Sequence, residues 1–201
     1  HMAVSRYDER AESQLREIVD QGIASFKIFL AYKDFFGLND TELFQTLTLA
    51  KELGVIVTAH CENETAIAEG QAKLLAAGKV GPEFHEPSRP TLVEAEGVHH
   101  LMTFAELTEA HVYCVHTSCA PAMHVVEAAR SRGVHAWIEA VIPHLLLDKS
   151  YTETADFSGA KYVMSPPLRD KSHQPILWNA LRNRLISTVA TDHAPFDYAT
   201  Q

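Results

Sequence analysis

Short apolar runs alternate with stretches of helical periodicity along most of this 201-residue chain. The runs are 25–30, 55–60, 111–116, 134–142, 160–165 and 185–191. Buried strands of a parallel sheet read as continuous apolar segments of this kind, with crossover helices between them. Helices are expected over 9–21, 40–53, 63–77 and 91–107, from Pro121 to Gly133, and from Pro175 to about Arg184. Asn39 with Glu42, and Thr91 with Glu94, have the spacing of a capping box, while Gly22, Gly54 and Gly133 are stop signals. The fold class is therefore α/β. An open doubly wound sheet and a (β/α)8 barrel both satisfy the pattern, but no glycine-rich phosphate loop opens any helix, which weakens the dinucleotide-binding version. The chain reads as one domain over 1–201, with His1-Met2 resembling a cloning scar.

Composition narrows the function. A formal charge of −9 without a basic stripe argues against a nucleic-acid partner. No apolar run is long enough to cross a membrane, and no secretory signal is visible. Cys61, Cys114 and Cys119 lack zinc-ribbon spacing, so reduced thiols in a cytoplasmic protein are expected.

One residue breaks the apolar rule. Lys27 stands in the middle of Ser25–Leu30. Its ordinary reading is a side chain that snorkels to water; its functional reading is a buried amine with a lowered pKa. Three other runs end in polar residues: His60, His116 and Asp192. In a barrel, functional groups collect at the C-terminal ends of the strands. Two imidazoles and a carboxylate are a normal ligand set for zinc or a similar divalent ion. A neutral lysine reacts with carbon dioxide to give an anionic carbamate able to bridge two metals. Each residue alone has an ordinary explanation, a hydrogen-bonded core histidine or a turn-capping aspartate; the combination at four strands favours the metal reading. For His85, His99, His100, His111, His124, His135, His144 and His173 the ordinary reading is favoured, and His193 is expected only to support Asp192.

Six segments in order resemble the dihydropyrimidinase and D-hydantoinase family of cyclic amidohydrolases. They are Phe26-Lys27 through Tyr32, Ala59–Asn63, His85–Pro90, Val115–Ser118, Tyr162–Arg169 and Thr191–Phe196. The resemblance implies a metal-dependent amidohydrolase barrel that opens dihydropyrimidine or hydantoin rings to N-carbamoyl amino acids. By position, Lys27 matches the carboxylated lysine bridging two metals, His60 and His116 the histidines on one metal, and Asp192 the aspartate on the other, which also moves a proton. Tyr32 matches the tyrosine that stabilises the oxyanion. Ser165 matches a residue whose backbone holds the ring amide.

The departures shape the expectation. The family's first strand carries a His-x-His pair, and none occurs here. The chain is thus expected to be a partial barrel lacking the first strands and truncated at both ends, since a whole barrel takes about 250 residues. One metal or none is expected to bind well, with weak or absent hydrolysis. The missing part would come from a longer protein, a partner chain or self-association as a homo-oligomer. The expected ligand is a small cyclic ureide or imide. A non-catalytic scaffold relative, and a dihydroorotase- or allantoinase-like hydrolase, are the alternatives.

Overall fold

The computed structural model describes residues 1–33 and 35–194, so Pro195 and Phe196 of the last family-like segment lie outside the described residues. Six strands form one parallel sheet: β1 (Met2–Ala3), β2 (Ser25–Phe29), β3 (Ile56–His60), β4 (His111–Cys114), β5 (Ala136–Val141) and β6 (Thr188–Ala190). Their order across the sheet is the order in the chain, and every neighbouring pair is parallel.

That order decides between the two architectures. Right-handed crossovers that always step the same way put every helix on one face; a doubly wound sheet reverses direction so that helices cover both. Here Phe26, Ile28, Val57, Ala59, Val112, Cys114, Ile138 and Ala140 belong to the main apolar core. Strand alternation sends Ser25, Lys27, Thr58, His60, Tyr113 and Glu139 to the opposite, inner face. A sheet with one layer of helices outside and these polar groups among the side chains of its inner face is a barrel wall. Among the described residues, β1 and β6 each pair on one side only, so the wall is partial.

The crossover helices are α1 (Glu9–Asp20), α2 (Asp40–Leu53), α3 (Glu64–Ala76), α4 (His85–Ser88), α5 (Thr91–Thr108), α6 (Ala120–Ser131), α7 (Ile142–Leu146) and α8 (His173–Arg182). The Asn39–Glu42 capping box forms in full, and Gly54 closes α2 in the left-handed conformation. Among the described residues, no helix is long and apolar enough to cross a membrane.

Three expectations need correction. The segment 160–165 is not a strand: Phe157–Tyr162 is a 3-10 helix, and Ser165 lies in a bend beyond it, joined to Pro166 by a cis peptide bond. The residues there do not alternate, and Pro166 and Pro167 remove two ladder donors. The sixth strand is instead β1, which pairs with Phe26 and Lys27 and which the sequence reading passed over. Thr91 and Glu94 form no capping box. Pro90 occupies the N-cap without a side-chain bond, and the Glu94 side chain turns into the core.

Candidate metal centre and active site

The inner face places Lys27, His60 and their neighbours. Phe29 and His60 are register partners, and Lys27 stands two residues below on β2. His60 and His116 are both buried. His60 Nδ1 faces His116 Nε2 at 3.0 Å. On its other side, His60 Nε2 lies 2.8 Å from Glu62 Oε2. A carboxylate accepts, so Nε2 donates, which leaves Nδ1 facing His116. Carboxylates orient metal-bound histidines in this way. Burial, then the charges of His60 and Lys27, push the His116 ring well below its ordinary pKa, so it is neutral.

Whether these residues suit a metal can be tested on the pair itself. Two imidazole nitrogens on a tetrahedral zinc, at bonds of about 2.0–2.1 Å, stand roughly 3.3 Å apart. The buried 3.0 Å approach is close to that spacing. Among the described residues, however, no three His, Cys, Asp or Glu side chains form a ready cage. Asp192 is exposed at the end of β6, although its charge reaches Lys27. The imidazole pair therefore fits one metal position, for which Lys27 is the expected third ligand.

Lys27 has the character such a role needs. Its amine is mostly buried, and burial lowers its pKa to about 8 against smaller opposing effects of Cys61, Asp192, Glu139 and Cys114. Nζ lies 4.9 Å from the centre of the Phe29 ring.

Backbone strain marks the same site. Five non-glycine residues among those described have positive φ: Tyr32, Glu109, His116, Arg184 and Asp192. Glu109 caps α5, and Arg184 follows α8. The other three are expected site residues. Such conformations cost about 1–3 kcal/mol and persist only where surroundings over-determine them. Tyr32 is held by its N–H, which donates to Glu64 Oε2, and by its carbonyl, which accepts from Phe35, Phe36 and Gly37. Its ring lies 5.4 Å from that of His60.

A buried ionic network, missed by the sequence reading, fixes the surroundings. Arg89 Nη1 donates to Glu62 Oε2 at 2.8 Å. Burial raises the Glu62 pKa, but His60 and Arg89 outweigh it and hold the carboxyl below its usual range. Arg169 donates to the Arg89 carbonyl, to Ser118 Oγ at 2.8 Å and to Glu94 Oε2 at 2.8 Å. Glu94 in turn accepts from the Ser118 N–H and hydroxyl. Ser165 sits between two histidines: His85 Nε2 donates to the Met164 carbonyl at 2.8 Å, and His144 Nε2 to the Pro166 carbonyl at 3.0 Å. Both imidazoles therefore bond main-chain carbonyls, His85 across 79 positions and His144 across 22.

Comparison with known proteins decides the family. A D-hydantoinase of Geobacillus stearothermophilus is 41% identical over 202 residues, covering all of this chain and 43% of that protein. A D-hydantoinase (dihydropyrimidinase) structure from Thermus sp. superposes with a TM-score of 0.96 at 61% identity, over 98% of this chain and 43% of that one. The chain belongs to the D-hydantoinase and dihydropyrimidinase family. A dihydropyrimidinase from Brevibacillus agri NCHU1002 agrees, with a TM-score of 0.97 at 39% identity over 100% of this chain and 44% of its own. No family model matches the sequence. The chain spans less than half the length of these members of the family.

Proposed function

We propose that the chain carries part of the catalytic centre of a metal-dependent cyclic-amide hydrolase, which opens hydantoin or dihydropyrimidine rings to N-carbamoyl amino acids. The observation that carries this reading is the buried His60–His116 pair beside an amine of lowered pKa. The names of the relatives supply the substrate class.

The neutral Lys27 nitrogen attacks the carbon of carbon dioxide. A C–N bond forms, a C=O π pair moves onto oxygen, and the nitrogen loses a proton to solvent. The anionic carbamate, His60 and His116 would hold one divalent ion, zinc by ligand type. The carbamate and Asp192 would serve a second. A metal so held would supply positive charge and would lower the pKa of a bound water toward neutrality. Asp192 takes the proton of the attacking water and delivers it to the leaving ring nitrogen. The Tyr32 hydroxyl donates to the oxyanion of the tetrahedral intermediate. The main chain at Ser165, fixed by His85 and His144, meets the ring amide. Ring opening by this chain alone is expected to be weak or absent, because among the described residues β1 and β6 are each paired on one side only.

Metal content by elemental analysis of chelator-free protein tests the centre, with hydantoin, dihydrouracil, dihydroorotate and allantoin assayed side by side on a full-length parent protein. About one zinc per chain, lost in His60→Ala and His116→Ala, is expected. No zinc uptake even in excess metal, or uptake indifferent to both substitutions, would refute the centre. Turnover of dihydroorotate or allantoin in preference to the other two would refute the substrate class.

A further inference from the structure

Glu139 lies on β5 inside the wall, in a strand whose other residues are apolar. Its carboxylate is divided between two neighbours. Oε1 accepts the His116 N–H at 3.1 Å. Oε2 accepts the Tyr113 hydroxyl at 2.7 Å, and that hydroxyl also meets Thr188 Oγ1 on β6. The Glu139 main-chain carbonyl accepts the next amide along, Thr117 N–H, at 2.7 Å. One residue therefore holds two successive amides of the turn after β4. His116, the first of them, has a φ of 40°, a conformation uncommon outside glycine. Burial, with Glu139 and despite the Thr188 contact, raises the Tyr113 pKa to about 12, so the phenol stays a donor.

We infer that Glu139 is a positioning residue that locks the left-handed backbone of His116 and so aims its Nε2 at His60 Nδ1. An extended residue at this point would carry the imidazole away from β3. The carboxylate offsets the strain by accepting an amide that the left-handed turn directs into the wall. Tyr113 and Thr188 keep the carboxylate from rotating, so three adjacent strands bear on the direction of one ring. The consequence for metal binding rests on the proposed centre; the inference itself concerns only the metal-free chain.

The test is NMR on metal-free protein labelled uniformly with 15N, with the histidine ring resonances assigned by His60→Gln and His116→Gln. Ring-to-ring contacts between His60 and His116 are expected in the unaltered chain. They should vanish in Glu139→Ala while the strand signals of Phe26 and Ile28 stay in place. Glu139→Gln, whose amide oxygen still accepts the His116 N–H, should restore them. Tyr113→Phe should retain them in weakened form. Contacts that persist in Glu139→Ala, or that are lost equally in Glu139→Gln, overturn the inference. If Glu139→Ala does not fold, hydrogen exchange at the His116 amide of the unaltered chain decides. Protection matching the neighbouring Val115 amide, which donates to the Ala59 carbonyl, supports the lock; exchange at the rate of an exposed loop overturns it. Because no metal is present, failure here leaves the zinc result separately readable.

Discussion

Replacing Lys27 with methionine should make this protein more stable, not less. In the folded chain, burial moves the ammonium from an ordinary 10.5 to about 8. At about 1.4 kcal/mol per pH unit, the charged lysine costs the folded state about 3 kcal/mol. Its approach to the Phe29 ring returns about 0.5–1 kcal/mol of that. Methionine matches the length of the stem and carries no charge, so a gain of about 2–3 kcal/mol is expected at pH 7. The sign with pH follows from linkage. Below pH 8 both states carry the proton, and the full cost stands. Between 8 and 10.5 the folded lysine sheds its proton while the unfolded one keeps it, so the unaltered protein gains stability as pH rises. Above 10.5 the cost is gone. Urea unfolding of both proteins at pH 7, 8.5 and 10 in carbonate-free buffer reads the difference directly, because groups common to both cancel. A gap that narrows toward pH 10 supports the reasoning. Lys27→Met less stable than its parent at pH 7, or a gap independent of pH, would refute it. Added bicarbonate should narrow the gap at pH 8.5 by trapping the neutral amine as carbamate.

The same logic shows why some of the site was legible and some was not. A cation inside an apolar run needs an explanation, and that drew attention to Lys27. Glu139 stands in the run Val134–Ile142 in the same way, and its inward direction follows from strand alternation. The signal was present but unread. Glu62 was legible in retrospect, two residues beyond a strand-end histidine. Glu94 was misread because the spacing Thr91–Glu94 satisfies a local capping rule. A long-range partner, Arg169, then outcompetes the local one, and no local pattern reveals a pairing across 75 positions. The strand expected at 160–165 failed for a related reason: composition suggested it, but prolines and the absence of period-2 alternation opposed it. The choice between barrel and open sheet could not come from alternation at all. It needed the strand order, which is a tertiary fact.

Arg169 and the approach of α5 supply two further checks on this architecture. Arg169→Met leaves Glu94, only 2% exposed, without its cation, and should cost about 3–5 kcal/mol. At about 2–4 °C per kcal/mol, that lowers the melting temperature by about 6–20 °C. Adding Glu94→Leu should return part of the loss, and circular-dichroism melts of the singles and the double measure it. A loss under about 1 kcal/mol, or strict additivity, would count against a shared network. Gly97 carries the second check, because two effects there oppose each other. It lies within α5, where alanine in place of glycine ordinarily stabilises a helix by about 1 kcal/mol. Yet a Cβ at Gly97 would sit 2.7 Å from the Cys61 carbonyl carbon and 2.7 Å from the Glu62 nitrogen. Both are main-chain atoms, and α5 is tied to the same loop where Asn63 N–H donates to the Val93 carbonyl at 3.1 Å. The helix must back away, and overpacking of this kind costs about 1–3 kcal/mol. Gly97→Ala should therefore destabilise the protein in urea, and should also shift the His60 ring signals, because Glu62 moves with the loop. A stabilised Gly97→Ala variant with unchanged His60 signals would mean that α5 does not press on the backbone behind the histidine pair.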